Sequence, residues 1–137
     1  MTVSVVVLVG EETMGFELPI NVGMETFSFE GLDVYQRSIE FLALSAQVVA
    51  KLPRGHAMLA DQLKRAALSI PLNIAEGSGR VGEDDARRQR AIARGSAMEC
   101  AAILDACRVL GIIDQGTLIP ARHLLLRIVA MLTRLSR

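Results

Sequence analysis

Two stripes of polar side chains, one on each of two predicted helices, could do chemistry if those helices face each other. The first stripe recurs at spacings of four, four, three and four residues, so it falls in one narrow sector of a helix. The second places a serine and a glutamate, three residues apart, within an otherwise apolar face. The residues are Arg65, Ser69, Asn73, Glu76 and Arg80 in the first stripe, and Ser96 and Glu99 in the second.

A glutamate among apolar side chains costs free energy unless it is paired or protonated. We therefore expect a polar network between the two helices, in which Arg65 or Arg80 pairs with Glu76 and Glu99. One interpretation of this network is a ligand or metal site, and the other is a set of buried contacts that fixes the register of the helices. We favour the second interpretation.

Motifs that would indicate catalysis or a cofactor are missing from the sequence. Neither His56 nor His123 follows a glutamate at the three-residue spacing that di-iron bundles use, and no Cys or His pair has zinc spacing. There is also no Gly-x-Ser-x-Gly motif and no phosphate-binding loop. We predict a protein that is not an enzyme and has no metal or cofactor. A ligand- or metal-binding bundle that uses Glu76 and Glu99 is the alternative.

Composition and hydrophobic periodicity predict the elements that position these side chains. The chain has 137 residues, of which 51% are hydrophobic and 4% aromatic, which favours one mostly helical domain. No apolar run approaches the roughly 18–20 residues of a membrane helix, so no membrane partner is expected. Four helical segments joined by short links predict an all-α, antiparallel up-and-down four-helix bundle.

Spacings of three and four residues predict the core-facing stripe of each helix. The first helix starts near Leu32, the second runs from about His56 to Ser78 with Pro71 inside it, and the third opens at Glu83. Asp114 caps the last segment, in which we expect Pro120 in the first turn of the fourth helix. The predicted stripes are Leu32, Tyr35, Ile39, Leu42, Ala46 and Val49; Leu59, Leu63, Ala66, Ile70 and Ile74; Ile92, Ser96, Glu99, Ile103, Ala106 and Leu110; and Leu124, Leu125, Ile128, Val129, Met131, Leu132 and Leu135.

Residues 1–23 differ from the rest and are predicted to be an N-terminal extension that is extended or disordered. Their β-branched run from Thr2 to Val9 predicts one strand that ends at Gly10. We expect the bundle domain to comprise residues 24–137, beginning near Met24. The extension then lies outside the native domain or results from a misplaced start.

Charge is distributed unevenly although the formal net charge is zero. Residues 1–30 hold five acids and no Lys or Arg, whereas all 15 bases, 13 of them Arg, lie in residues 31–137. Arg87, Arg90, Arg94 and Arg108 fall within about 60° of one another on the third helix, opposite the Ile92 and Ile103 seam. Such a stripe is a candidate site for RNA or DNA phosphates. The alternative is a solvated surface.

Exposed apolar side chains on the second and third helices predict self-association. Leu68 and Leu72 lie nearly opposite the core stripe of the second helix, and residues 97–104 are apolar almost all round the third. Patches of this kind usually mark a protein interface. The candidate interface residues are Leu68, Leu72, Ala97, Met98 and Ala101.

The two cysteines predict no disulfide. Cys100 and Cys107 are seven residues apart on one predicted helix, roughly 10 Å along its axis, which is too far for a bond. Two buried free thiols in a reducing cytoplasm are the expectation.

Four segments of the chain carry a resemblance to a known family, the first of them residues 29–36, which resemble its usual opening. The sequence Asn-Ile-Ala-Glu-Gly-Ser-Gly-Arg at residues 73–80 resembles the hallmark of the four-helix-bundle proteins encoded in 23S rRNA intervening sequences. Residues 62–71 and the Gly-Ser-x-x-Glu element at residues 95–99 look like the same family. The resemblance covers about residues 27–135.

The resemblance implies an antiparallel bundle that assembles as a ring-like homopentamer, with no established enzymatic activity. A related branch, the accessory protein of diversity-generating retroelements, is strongly basic and associates with nucleic acid. We therefore expect a homo-oligomeric scaffold that contacts RNA or DNA weakly. A purely structural oligomer with a protein partner is the alternative.

Overall fold

The computed structural model describes the backbone of residues 2–9 and 12–19 and the whole of residues 25–137. A 3-10 turn at Ser28–Gly31 leads into four helices. They are α1 (Asp33–Lys51), α2 (Ala57–Ser78), α3 (Glu83–Val109) and α4 (Gln115–Leu135). Each helix packs on the next in sequence, and α4 closes the bundle against α1. The predicted all-α four-helix bundle is confirmed.

The core stripes of α2 and α4 follow the sequence pattern. Leu63, Ala66, Ile70 and Ile74 of α2 are buried, and so are Leu124, Leu125, Ile128 and Leu132 of α4. Leu135 at the end of the α4 stripe is 43% exposed. Pro71 lies inside α2, as predicted, and is buried there.

The core face of α1 is not the predicted one. The buried residues are Val34, Ser38, Phe41, Leu44, Ser45 and Val48. The two serines tolerate burial because each hydroxyl donates to the carbonyl three residues earlier, Ser38 to Tyr35 at 2.6 Å and Ser45 to Leu42 at 2.7 Å. The predicted stripe, which includes Ile39, Leu42 and Ala46, is only partly buried or exposed and lies at the bundle surface.

The core face of α3 is likewise rotated by one residue from the prediction. Most of its buried side chains are small, and Ala93, Ala97, Cys100, Leu104 and Cys107 follow spacings of four, three, four and three. In the predicted seam only Ile103 is buried, whereas Ile92, Glu99 and Leu110 are exposed. Small residues let α3 approach its neighbours closely, but they give a weaker hydrophobic signal than the isoleucines beside them.

The start of α4 differs from the prediction by one and a half turns. Asp114 is its N-cap, and the Asp114 carboxylate accepts a hydrogen bond from the Thr117 amide at 2.8 Å. The helix therefore begins at Gln115, and Pro120 lies inside it rather than in its first turn. The Asp114 cap therefore determines where α4 starts. Pro120, five residues after Gln115, has no N–H to donate, and the helix continues past it.

Two antiparallel strands precede the bundle, β1 (Thr2–Val9) and β2 (Glu12–Pro19). β1 spans the predicted strand, whereas β2 was not predicted because its sequence lacks a β-branched run. β1 lies against α1 and α4. The predicted strand end at Gly10 and the predicted domain start at Met24 lie outside the described residues.

Candidate functional site

The serines and the asparagine of the two polar stripes meet where α2 packs on α3. The Ser69 and Ser96 hydroxyl oxygens are 2.8 Å apart and share a hydrogen bond. The Asn73 amide donates to the Ser69 carbonyl at 2.8 Å and to the Ser69 hydroxyl at 2.9 Å. These contacts cross the most extensive helix pair of the bundle, so they fix the register of α2 against α3.

Gln89 extends this network and was missed in the sequence. In the amide orientation that satisfies its neighbours, its nitrogen donates to Asn73 Oδ1 at 2.8 Å and to Glu76 Oε2 at 3.1 Å. Its oxygen accepts from Arg80 at 3.2 Å. The available signal was its position seven residues before Ser96, which places both on the same face of α3.

The helices cross closely at Gly77. A Cβ atom at this position would lie 3.3 Å from the Ala86 carbonyl oxygen and 3.3 Å from Gln89 Cβ. The glycine of the Asn-Ile-Ala-Glu-Gly segment therefore allows the C-terminal turn of α2 to rest on the first turns of α3. The polar contacts and this close approach together hold α2 against α3, which is a structural role.

The expected carboxylate pairing does not form. Glu76, Glu99, Arg65 and Arg80 are all exposed, and within residues 25–137 neither glutamate makes an ion pair with either arginine. Glu99 lies on the solvent side because the core face of α3 is rotated from the predicted seam. No group of three or more metal-ligating side chains occurs in the described part of the chain. Glu76 and Glu99 therefore have no metal-site geometry.

All four side chains of the predicted arginine stripe have protein partners, three of them on α3 itself and one on α4. Arg87 pairs with Asp84 at 3.5 Å, Arg90 pairs with Glu83, and Arg108 approaches Asp105 at 4.0 Å. Arg94 donates to the Thr133 hydroxyl at 2.8 Å. The stripe is opposite the predicted seam and borders the true core, where Arg90 and Arg94 are partly buried, whereas Arg87 and Arg108 remain exposed.

A second basic surface, on α4, was missed in the sequence. Residues 115–137 contain no Asp or Glu. His123, Arg127 and Arg134 fall within about 40° of one another on the exposed side of the helix. Neither arginine pairs with a carboxylate in the described residues. We call the surface formed by His123, Arg127 and Arg134 the α4 basic face. The sequence signal for it was the absence of acidic residues from residues 115–137.

An open apolar groove runs between α1 and α2. Its volume is about 510 Å³, and it lies under Leu68, which is 46% exposed. From residue 41 to residue 50 the chain has no charged side chain, so this stretch of α1 presents no charge on its outer surface. The groove is lined by Ile39, Leu42, Ala43, Ser45, Ala46, Val49, Lys64 and Leu68.

A second apolar surface lies between α3 and α4. Met98 and Leu126 project there, 45% and 61% exposed, over a shallow hollow of about 100 Å³ that Ala101 and Val129 also line. Ala97 is buried in the protomer and lies at the floor of this hollow, so its place in an interface stays a prediction. Leu68 and Leu72 are therefore on α2, whereas Met98 and Ala101 are on α3.

The cysteines are free and buried, as predicted. Burial raises the pKa of Cys100 to about 12, and the neighbouring Glu99 charge adds to this shift. Burial also raises the pKa of Cys107. Both thiols are neutral core side chains at physiological pH.

Comparisons with known proteins identify relatives of the bundle. The family described as 23S rRNA-intervening sequence protein matches residues 30–134. A crystal structure of a protein of unknown function from the S23 ribosomal protein family of Bacteroides thetaiotaomicron superposes with a TM-score of 0.71 at 20% identity, over 76% of this chain and 98% of that one. Comparison with curated proteins gives no significant match. No helix among the described residues is long and apolar enough to cross a membrane.

Proposed function

The chain belongs to the family of 23S rRNA-intervening sequence proteins, and from that premise we propose that it is a non-enzymatic, homo-oligomeric scaffold. The observation that carries the proposal is the apolar outer surface of α1 and α2. Leu72 is 52% exposed one turn beyond Leu68, and the groove beside Leu68 is lined almost wholly by apolar groups. Contiguous apolar surface of this kind marks an interaction site rather than a solvated face.

The absence of an arranged catalytic group supports the non-enzymatic part of the proposal. In residues 25–137 the buried polar side chains are Ser38, Ser45 and Thr117, of which both serines bond to their own helix. The polar cluster around Ser69 and Ser96 contains no histidine or buried carboxylate that could act as a base. Its hydrogen bonds hold α2 against α3.

Light scattering of the purified protein tests self-association. We expect a mass that is a multiple of the 14.8 kDa chain and that falls in the variant Leu68→Glu with Leu72→Glu, because two carboxylates would be buried in the interface. Gln62→Glu with Gln115→Glu is a matched control that adds the same charge at exposed positions away from the groove. A monomeric unmutated chain would refute the proposal.

Nucleic-acid contact is a second candidate function, and the α4 basic face favours it. Arginines that pair with no carboxylate in the described part of the chain, spread over about two turns of helix, can neutralise successive phosphates and release counterions. An oligomer would repeat this face, so that weak contacts act together. The arginine stripe of α3 contributes less, since its side chains are already partnered.

Binding of labelled RNA and DNA, measured by fluorescence anisotropy over a range of salt concentrations, tests this candidate. We expect binding at low salt that falls steeply as salt rises. Arg127→Gln with Arg134→Gln should weaken it for all sequences and reduce the salt dependence. The control, Arg87→Gln with Arg108→Gln, removes equal charge from partnered positions and should have a smaller effect. If the unmutated protein binds neither polymer at low salt, a structural oligomer with a protein partner replaces this candidate.

A further inference from the structure

A cavity, which we call the bundle-end cavity, lies where the start of α1 meets the last turns of α2 and α4. Its volume is about 200 Å³, which is below the roughly 300–1,000 Å³ of sites for drug-sized ligands. The core side chains Val34, Ile74 and Leu132 line it and are each at most 3% exposed. Leu32 and Leu135 are more exposed and lie at its mouth. The bundle-end cavity is therefore an apolar space of the size of a small molecule.

Arg90 of α3 is the only charged residue among the described residues that line this cavity. Its stem packs on the last turn of α2, since Arg90 Cγ lies 3.7 Å from the position of a Cβ atom on Gly77. Its side chain is 18% exposed, and its Nη2 pairs with Glu83. Its Nε is buried and has no hydrogen-bond partner in the described part of the chain. A cationic side chain thus lines an apolar cavity with one buried donor unused.

Two other buried side-chain atoms among the described residues lack hydrogen bonds, and neither belongs to a residue that lines this cavity. Arg37 Nε is 3.5 Å from an Asp33 carboxylate oxygen, and Glu40 Oε2 is 3.4 Å from an Arg37 nitrogen. Each therefore has an opposite charge beside it. Arg90 Nε has no such neighbour, because the ion pair with Glu83 uses Nη2. A buried donor without an acceptor costs free energy, and a ligand that brings an acceptor removes this cost.

The charges around Arg90 indicate which acceptor fits. A planar guanidinium group matches the geometry of carboxylates and of phosphates. The Glu83 carboxylate already offsets part of the Arg90 charge, and it would repel a doubly charged phosphate more strongly than a singly charged carboxylate. Ser78, which is exposed and also lines the cavity, offers a hydroxyl as a second donor. A single carboxylate is therefore the favoured anionic group.

The apolar walls determine the rest of the ligand. A second hollow, of about 230 Å³, shares Leu32, Val34 and Leu135 with the bundle-end cavity, and Met131 extends its apolar lining. A chain that fills the first space can therefore continue into the second. At roughly 30 Å³ for each water-sized group, the bundle-end cavity alone holds about seven groups. An unbranched alkyl chain of about six to eight carbons matches this size.

We infer that the bundle-end cavity binds a medium-chain monocarboxylate. Its carboxylate accepts a hydrogen bond from Arg90 Nε, and its alkyl chain lies against Val34, Ile74 and Leu132. This site does not depend on self-association or on nucleic-acid contact. It also gives a role to Ser78, which lies in the segment of residues 73–80 but makes none of the hydrogen bonds that join α2 to α3.

Isothermal titration calorimetry of the purified full-length protein with sodium octanoate tests the inference. We expect saturable binding of one octanoate per chain, and an affinity about fourfold lower for each methylene removed down to hexanoate, because less apolar surface is buried. Octanol has the same chain without the charge and should bind about tenfold more weakly. Failure of octanoate to bind, or equal affinity for octanol, would show that the inference is wrong.

Arg90→Lys tests the role of the buried Nε. Lysine keeps the positive charge for Glu83 but lacks the guanidinium donor, so octanoate should bind about tenfold more weakly while octanol is unaffected. Arg87→Lys is the matched control, because it makes the same change on α3 at a side chain that does not line the cavity. Circular dichroism verifies that both variants keep their helicity. Unchanged octanoate affinity of Arg90→Lys would overturn the inference.

A charge at the mouth tests the location of the site. Leu32→Glu places a carboxylate beside the entrance and should abolish octanoate binding by repulsion. Leu110→Glu adds the same charge at a leucine that is 56% exposed at the opposite end of α3, and it should leave binding unchanged. Equal loss in both variants would show adsorption to exposed apolar surface and overturn the inference. Light scattering of the same samples reports self-association separately, so failure of this site and failure of the proposed scaffold are distinguishable.

Discussion

Two helical glycines differ in what a side chain would meet, and this difference predicts opposite effects of alanine. A Cβ atom at Gly77 would press on the Ala86 carbonyl, which is backbone and cannot rotate away, whereas nothing lies within 4 Å of such an atom at Gly95. Gly95→Ala should stabilise the protein by about 0.5–1 kcal/mol through helix propensity. Gly77→Ala should destabilise it by about 1 kcal/mol, since crowding exceeds the same gain. Urea unfolding measures both, and a stabilising Gly77→Ala would contradict the close crossing.

The buried thiols predict slow chemical modification. The pKa of Cys100 is raised to about 12 by burial, so the reactive thiolate is scarce at pH 8. We expect a thiol reagent such as dithionitrobenzoate to label neither cysteine in the folded protein and both in denaturant. Cys100→Ala should leave one labelled thiol in denaturant. Rapid labelling of the folded protein would contradict the burial of these side chains.

The same raised pKa has a consequence for stability at alkaline pH. Cys100 ionises in the unfolded chain near its ordinary pKa of 9.0 and in the folded protein only near 12. The stabilisation that comes from its neutral form is therefore present below pH 9 and is lost as pH rises towards 12. Cys100→Ala should show a smaller loss of stability over that range, as measured by denaturant unfolding.

The N-cap of α4 is a separate element-level contribution to stability. The Asp114 carboxylate accepts a hydrogen bond from the Thr117 amide at 2.8 Å, and the only other acceptor of that amide among the described residues is the Asp114 carbonyl at a longer 3.3 Å. Asp114→Ala should cost about 1 kcal/mol, whereas Asp114→Asn keeps an accepting oxygen and should cost less. Thermal unfolding of the two variants distinguishes them. Equal stability of both variants would indicate that the helix starts elsewhere.

The helices themselves could be predicted from the sequence, but the rotation of two of them could not. On α1, the stripe containing Ile39 and Leu42 is more apolar than the core stripe, which includes Ser38 and Ser45. Each serine hydroxyl donates a hydrogen bond to a carbonyl of its own helix, and hydrophobic periodicity does not reveal this local bond. The stripe that looked like the core is the surface that we propose to be covered by another copy.

The polar site was predicted in part for a related reason. The contact of Ser69 with Ser96 follows from two polar stripes on helices that face each other, and the spacing of these residues in the sequence predicts it. Residue spacing did not predict the exposed position of Glu99. The core face of α3 consists largely of alanines and cysteines, and this face turns the glutamate outward. Glu76→Ala should consequently have a small effect, below about 1 kcal/mol, because the exposed carboxylate leaves no buried charge unpaired.

At the scale of the whole molecule, the N-terminal segment opposes any attraction to nucleic acid. Residues 1–23 include three acids and no base, and β1 lies beside the helix that carries the α4 basic face. A chain that lacks residues 1–23 should bind RNA and DNA more tightly at low salt, with little change in helicity. Light scattering serves as the control for assembly. Unchanged affinity would show that the segment does not influence the α4 basic face.

The packing of each helix on its sequence neighbour has a kinetic consequence. Contacts between adjacent helices span short stretches of chain, and proteins with such low contact order fold on a timescale on the order of microseconds to milliseconds. Subunit association is a second-order process that slows as the protein is diluted. Refolding should therefore show a fast gain of helicity that is independent of concentration, followed, under the proposed self-association, by a slower, concentration-dependent growth in mass. The protomer would thus be complete before it meets its neighbours.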